Sequence, residues 1–179
     1  MVTTAPVSSI VAPPSGWHVH ARLSLPGPDA TADLAQAIAP LVRPGDTLLL
    51  QGDLGAGKSH MARALIRARL GAGGAQAEVP SPTFTLVQTY DAPEAEIWHA
   101  DLYRLSDPQE LWELGLDGAM ETAICLIEWP DRIAPDWPDT AVCLRLETPA
   151  EAPETRVLEL WAPATSRLAA RLMPVVRPA

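Results

Sequence analysis

One short motif constrains this chain more than any other feature of its sequence. Residues 52–59 read GDLGAGKS and match the pattern G-x-x-x-x-G-K-[ST] of a phosphate-binding loop. In such a loop, glycines let main-chain N–H groups approach a phosphate closely, and the N-terminus of the following helix adds positive charge. Lys58, the only lysine among the 13 Lys and Arg residues, falls at the required position. The motif therefore predicts a nucleoside triphosphate site.

The polar residues of the motif have distinct expected roles. Lys58 would bridge the β- and γ-phosphates, and the hydroxyl of Ser59 would face Mg²⁺. A second magnesium-holding acid is expected at the end of a neighbouring strand, and two apolar runs end in an acid, at Glu128 and at Asp101. The structural alternatives are a strand-end or helix-initiating acid at Glu128 and a turn acid paired with Arg104 at Asp101. The predicted ATP contacts are Gly52, Asp53, Leu54, Gly55, Ala56, Gly57, Lys58 and Ser59.

The rest of the chain alternates strand-like and helix-like segments. This order predicts one three-layer α/β domain, with a mixed, mostly parallel central sheet flanked by helices, over residues 17–173. Residues 1–16 and 174–179 are expected to be tails, the first of them flexible. The predicted strands are 18–25, 47–51, 83–90, 96–102, 124–129, 140–148 and 155–161, with a hairpin within 83–102 and a closing antiparallel pair at the end. The predicted helices are 28–42, 58–70, 106–115 and 165–172, and residues 71–82 are expected to form a mobile loop.

Composition limits the partners. With 22 Asp and Glu against 13 Lys and Arg, the net charge is -9, which argues against a simple electrostatic nucleic-acid binder and against binding to an anionic membrane surface. No apolar run approaches the roughly 18 residues of a membrane span, and no signal peptide is evident, so a cytoplasmic location is expected. Cys125 and Cys143 lie in apolar runs and are expected to be reduced, buried thiols.

Four further segments carry a specific resemblance. SPTFTL at 81–86, HADLYRL at 99–105 and ICLIEWP at 124–130 follow GDLGAGKS in the order seen in the bacterial TsaE family, also called YjeE. LPGPDAT at 25–31 is similar to the opening of that family as well. The resemblance extends over about residues 23–161. Since the phosphate loop alone is shared by a very large superfamily, the combination is what makes the resemblance specific.

The resemblance implies a small Mg²⁺-dependent P-loop ATPase that is needed to make threonylcarbamoyladenosine in tRNA. In that family the protein does not catalyse the transfer; it acts on a complex of TsaD and TsaB, and ATP hydrolysis resets that complex. We further expect a monomer in isolation and slow hydrolysis without partners. The net charge of -9 fits a protein that docks on other proteins, so no tight direct binding of tRNA is expected. The resemblance also implies roles for particular residues: Lys58 and Ser59 at phosphate and Mg²⁺, Glu128 as second metal ligand, Asp101 as the acid that supports hydrolysis, Thr83 in a switch-like segment near the γ-phosphate, and Trp129 in a functional contact.

Some positions depart from the family pattern. His60 stands where another threonine is usual, and Asp131 stands where Glu or Gln is usual. Gln88 and Thr89 also differ from the usual polar pair. None of these changes removes a phosphate-binding or metal-binding group. The Ala- and Pro-rich stretch 149–153 leaves the nucleotide contacts there unassigned.

Other readings of the same residues stay open. A P-loop kinase would transfer the γ-phosphate to a metabolite, although residues 71–80 contain no Lys or Arg for a basic lid. A GTP-dependent switch would need an N-K-x-D segment, and the chain has no asparagine. His99 is interpreted as a structural histidine in preference to a base. Trp129 fits a ligand or partner contact and core packing equally well.

Overall fold

The computed structural model describes residues 10–105, 107 and 109–176. The strands are β1 (Trp17–Pro26), β2 (Thr47–Gln51), β3 (Val87–Ala92), β4 (Ala95–Asp101), β5 (Ile124–Glu128), β6 (Val142–Glu147) and β7 (Thr155–Pro163). The α-helices are α1 (Gly27–Ile38), α2 (Lys58–Arg69), α3 (Gln109–Glu113), α4 (Leu116–Thr122) and α5 (Arg167–Val176). Short 3-10 helices cover Ala39–Leu41, Gly71–Gln76 and Pro130–Ile133.

The seven strands form one mixed sheet in the order β1-β7-β6-β2-β5-β4-β3. The four central strands, β6, β2, β5 and β4, run parallel, and the outer strands pair antiparallel with their neighbours. The predicted β3–β4 hairpin and the closing β6–β7 pair are both confirmed. Strands β2, β5 and β4 are parallel neighbours, so their carboxyl ends lie at the same edge of the sheet. The phosphate loop, which comes directly after β2, and the strand-end residues Glu128 and Asp101 therefore all lie at this edge.

Apolar side chains on both faces of the central strands place a hydrophobic core on each side of the sheet. Successive strand residues point to opposite faces. In β2, Leu48 and Leu50 pack in a cluster with Ile66 of α2, whereas Leu49 packs in a second cluster with Leu116 of α4. Helices α1, α2 and α5 cover the first face, and α3 and α4 contribute to the second. This arrangement confirms the three-layer α/β prediction.

Two predicted boundaries are wrong for identifiable reasons. The strand predicted over 83–90 begins only at Val87, because residues 83–86 turn, with Leu86 at φ 62° and its N–H bonded to the Pro82 carbonyl at 2.8 Å. The helix predicted over 28–42 ends at Ile38 and continues as a 3-10 turn. Pro40 has no N–H to donate to the carbonyl four residues earlier, so the α-helical hydrogen-bond pattern cannot continue through it.

Other differences lie in the connections. The predicted loop 71–82 contains the 3-10 helix Gly71–Gln76, and the last helix continues past the predicted end at 172 to a buried Val176. Helix α4 was not predicted; Gly115, at φ 79°, separates it from α3. The predicted start of the 106–115 helix falls partly on residues 106 and 108, which lie outside the described residues, as do 1–9 and 177–179 of the predicted tails. Within the part of the chain that the structure describes, no helix combines the length and apolar composition needed to cross a membrane.

The two cysteines give a test of the core. Both side chains are fully buried, and burial raises the pKa of each thiol to about 12. Since the thiolate is the reactive form, we expect neither Cys125 nor Cys143 to react with a disulfide reagent at pH 8 in the folded chain, and both to react in denaturant. Rapid labelling of the native chain would contradict the packing of β5 and β6.

Candidate nucleotide-binding site

The phosphate loop connects β2 to α2 and depends on glycine at particular points. Gly52 has φ 149°, and a Cβ atom there would lie 2.4 Å from the Leu146 carbonyl oxygen, so only glycine fits against β6. Gly55 and Gly57 have φ of 80° and 106°. These left-handed conformations let the loop bend back before the first turn of α2. The loop is therefore shaped by close backbone packing as well as by its turns.

Lys58 holds its ammonium group inside the loop. Its Nζ donates to the carbonyl oxygens of Gly52 at 2.6 Å and Asp53 at 2.9 Å. The same Nζ lies 3.7 Å from the centroid of the Trp129 ring, which is the geometry of a cation–π contact. Burial lowers the pKa of Lys58, and the nearby carboxylates of Glu128 and Asp101 oppose that shift. A buried ammonium group that contacts two carbonyl oxygens and an aromatic ring is well suited to receive a phosphate.

Glu128 is fixed from two sides at the end of β5. Ser59 Oγ donates to Glu128 Oε2 at 2.7 Å, and His99 Nε2 lies 2.8 Å from Glu128 Oε1. The glutamate is only 1% exposed and the histidine is fully buried. Parallel pairing of β4 with β5 places His99 beside this carboxylate. The contact of Glu128 with Ser59 brings together the two residues predicted to hold a metal.

Asp101 lies at the end of β4 and organises the segment before β3. Thr83 Oγ1 donates to Asp101 Oδ2 at 2.8 Å, and Ser81 Oγ reaches the same oxygen at 3.4 Å. The main-chain N–H of Tyr103 donates to Asp101 Oδ1 at 3.1 Å. Asp101 is therefore bonded both to the 81–86 segment and to the turn that follows β4. Among the described residues, no ion pair joins it to Arg104.

Trp129 does not continue β5. Its backbone has φ 59° and ψ 52°, a left-handed conformation that is uncommon for a bulky residue. The ring lies 4.8 Å from the ring of Tyr103 and beneath the ammonium of Lys58. The side chain is 7% exposed, so it both packs and lines the site.

A cavity of about 340 Å³ brings these groups together. Its wall includes every residue predicted to act in catalysis or metal binding: Lys58, Ser59, Thr83, Asp101, Glu128 and Trp129. From the phosphate loop it also includes Leu54, Gly55 and Gly57, whereas Asp53 and Ala56 line a separate cavity of about 530 Å³ on the other side of the loop. Gly52 lines neither cavity; its carbonyl instead accepts the Lys58 ammonium.

Three contacts of the site go beyond the sequence predictions. His99 supports Glu128, Ser81 joins Thr83 at Asp101, and Arg156 of β7 bonds to the back of the phosphate loop. The position of Ser81 in the SPTFTL segment was a usable signal for the second contact. The His99 contact depends on the register between β4 and β5, and the Arg156 contact depends on the place of β7 in the sheet. Neither contact can be predicted from the local sequence.

The donor set suits a magnesium ion. Ser59 and Glu128 offer a hydroxyl and a carboxylate at hydrogen-bond distance from one another, and both line the cavity that contains Lys58. Oxygen ligands are what Mg²⁺ prefers, usually one or two from the protein with the remainder from phosphates and water. The residues present therefore fit the ion predicted from the motif.

Comparisons with known proteins agree on one family. The family model described as "Threonylcarbamoyl adenosine biosynthesis protein TsaE" matches residues 25–157. A "tRNA threonylcarbamoyladenosine biosynthesis protein TsaE" from Rickettsia bellii is 42% identical over 59% of this chain and 71% of its own length. Proteins with the same description from Rickettsia conorii and Bacillus subtilis are 43% and 36% identical, over 59% and 62% of this chain and over 58% and 67% of their own lengths. In the Rickettsia conorii case the chain thus spans less than two thirds of its relative.

One solved structure shares the fold. Bacillus subtilis YdiB superposes with a TM-score of 0.70 and is 24% identical, covering 88% of this chain and 95% of its own. At that identity the match bears on architecture alone. It includes most of the sheet and helices described above.

Proposed function

This chain belongs to the TsaE family of tRNA threonylcarbamoyladenosine biosynthesis proteins, and from that membership and the site geometry we propose that it binds and hydrolyses Mg-ATP. The observation that carries the proposal is the convergence of Lys58, Ser59, Glu128 and Asp101 on one cavity beside the phosphate loop. Glu128 and Asp101 come from two parallel strand ends, and Lys58 and Ser59 come from the start of α2. Each supplies a group that phosphoryl transfer needs: a cation, two oxygen ligands and a second carboxylate.

Each residue of the site has a separate proposed role, determined by its functional group. Main-chain amides and the Lys58 ammonium would bind and neutralise the β- and γ-phosphates. Ser59 and Glu128 would hold Mg²⁺, which neutralises phosphate charge when it is bound. Asp101, held by the Thr83 hydroxyl, would orient the attacking water at the γ-phosphate. His99 keeps Glu128 in place, and Trp129 holds the Lys58 ammonium from below.

The hydrolysis is proposed to act on other proteins. With a net charge of -9, the chain is poorly suited to hold the tRNA backbone itself. We propose that it acts on a TsaD–TsaB complex, which would carry out the transfer to tRNA. The switch-like segment 81–86 is suited to report the nucleotide state to such partners, because Thr83 bonds directly to Asp101 in the cavity while Phe84 beside it is 83% exposed.

The test measures inorganic phosphate released from Mg-ATP by the chain alone and with TsaD and TsaB. We expect slow turnover alone and a clear stimulation by the pair, with phosphate transferred to water. Filter binding of labelled tRNA to the chain alone should be weak. Phosphate transfer to a small-molecule acceptor would instead favour a kinase. Tight, salt-sensitive binding of tRNA would contradict the proposal that the chain acts on TsaD–TsaB and does not hold the tRNA itself.

A further inference from the structure

Arg156, in the second position of β7, makes an unusual set of contacts with the phosphate loop. Its Nε donates to the Ala56 carbonyl at 2.9 Å, and its Nη2 donates to the Gly55 carbonyl at 3.3 Å. Its Nη1 donates to the carbonyls of Pro153 at 2.7 Å and Thr155 at 2.9 Å. The guanidinium group thus uses four of its five N–H groups on main-chain oxygens.

These bonds fix the direction of peptide groups in the loop. A trans peptide unit is planar, so its N–H points opposite to its C=O. When Arg156 draws the Ala56 carbonyl to its own side, the N–H of Gly57 must point away from it. Gly57 lines the cavity that holds Lys58 and Ser59, and Arg156 does not, although both residues line a neighbouring cavity of about 250 Å³. The guanidinium therefore turns a donor toward the expected phosphate without contacting the phosphate itself.

The same residue ties the loop to the closing strands. Pro153 lies in the β6–β7 connection and Thr155 begins β7, and the Glu154 carbonyl between them accepts from the N–H of Gly27 at the start of α1. The loop is thus braced by a hairpin that is distant in sequence. A lysine could replace this bracing only in part, because a single ammonium cannot present donors in a planar fork.

We infer that Arg156 is a positioning residue for the phosphate loop, holding the Ala56 carbonyl outward so that the N–H of Gly57 is preorganised for the polyphosphate of the nucleotide. The N–H of Ala56, opposite the Gly55 carbonyl, bonds instead to the Asp53 carbonyl at 3.1 Å and closes the turn of the loop. This inference rests on the proposed function and adds to it a residue that touches neither nucleotide nor metal. Preorganisation of donors contributes to anion binding because the loop does not have to reorder when the anion arrives.

The test compares Arg156→Ala, Arg156→Lys and the control Arg22→Ala by calorimetric binding of Mg-ATP and of magnesium tripolyphosphate. Arg22 is an exposed arginine of β1 that pairs with Glu159 of β7, so its removal changes the charge equally without reaching the loop. We expect Arg156→Ala to weaken both ligands by about tenfold or more, Arg156→Lys to weaken them to an intermediate degree, and Arg22→Ala to leave both unchanged. Millimolar methylguanidinium should restore part of the binding to Arg156→Ala, which a general loss of stability would not allow.

Each other outcome has a definite meaning. Wild-type affinity for tripolyphosphate in both Arg156 variants would overturn the inference, and so would an equal loss in Arg22→Ala. Weakened ATP with unchanged tripolyphosphate would overturn it as well, since Arg156 would then act on the nucleoside. If Arg156→Ala fails to fold, the Arg156→Lys variant decides alone. Absence of binding by the wild-type chain would overturn the proposed function together with this inference, whereas the preceding results overturn the inference alone.

Discussion

Replacing Lys58 by alanine is expected to reduce ATP turnover by about a thousandfold or more. Lys58 is only 4% exposed, and the partners of its ammonium group are two loop carbonyls and the Trp129 ring. A triphosphate that enters the cavity would replace those carbonyls with phosphate oxygens. The Lys58 ammonium would then stabilise the negative charge that develops on the phosphate oxygens during hydrolysis. Because Lys58 is the only lysine of the chain, no other ammonium side chain can substitute for it.

The measurement is release of phosphate under saturating Mg-ATP, with the same assay on Arg67→Ala as control. Arg67 is exposed on α2 and is absent from the wall of the cavity, so its removal should leave turnover within about twofold. Lys58→Arg should remain strongly impaired, because a planar guanidinium does not fit the place of a compact ammonium. Unchanged turnover in Lys58→Ala would remove the basis of the site assignment.

The protonation of Lys58 gives the same prediction a pH dependence. Burial lowers the pKa of Lys58 below its ordinary value of 10.5, so the folded chain loses this charge at a lower pH than an exposed lysine would. Binding of a polyanion needs the protonated form. ATP affinity should therefore be full below the lowered pKa and fall as the pH rises through it, and this alkaline fall should be absent in Lys58→Ala.

The sequence was sufficient for the part of the site that local chemistry determines. The motif at 52–59 requires a strand, a tight loop and a helix, and the structure has β2 and α2 on either side of it. The acids at 101 and 128 end apolar runs, and parallel pairing brings both beside the loop, where they are register partners. When two parallel strands are neighbours, an acid at the end of each apolar run is thus sufficient to predict that the two acids lie side by side.

The remainder depends on contacts between distant segments. Residues 83–86 have the composition of a strand, yet the Thr83 hydroxyl bonds to Asp101, and the chain turns at Leu86 before pairing can begin. His99 looks like an ordinary core histidine until the β4–β5 register places it against Glu128. Arg156 lies about 100 residues after the loop that it braces. Periodicity carries no information on such pairs, because it describes which face a residue occupies and not what lies opposite.

The roles of Asp101 and Glu128 can be distinguished by substituting each acid, and the effect at Asp101 is the second large one that we expect. We expect Asp101→Asn to lower kcat by about a hundredfold or more while leaving the affinity for Mg-ATP within about threefold. The amide has the same shape, and its oxygen can still accept from the Thr83 hydroxyl, although its NH₂ group then faces the N–H of Tyr103. The substitution removes the charge that would orient and polarise a water molecule. Glu128→Gln should behave differently, because the partners of Glu128 are Ser59 and His99 and its expected role is to hold magnesium. For that variant the magnesium concentration needed for half-maximal activity should rise about tenfold or more.

The comparison is made by single-turnover hydrolysis and equilibrium ATP binding at several magnesium concentrations. Thr83→Ser, which keeps the hydroxyl on Asp101, is the matched control and should retain most of the rate, whereas Thr83→Ala should lose part of it. Excess magnesium should restore Glu128→Gln substantially and Asp101→Asn not at all. If Asp101→Asn is the variant restored by magnesium, the roles of the two acids are exchanged. The metal would then be held at the end of β4, and the Ser59–Glu128 contact would belong to the nucleotide-free state alone.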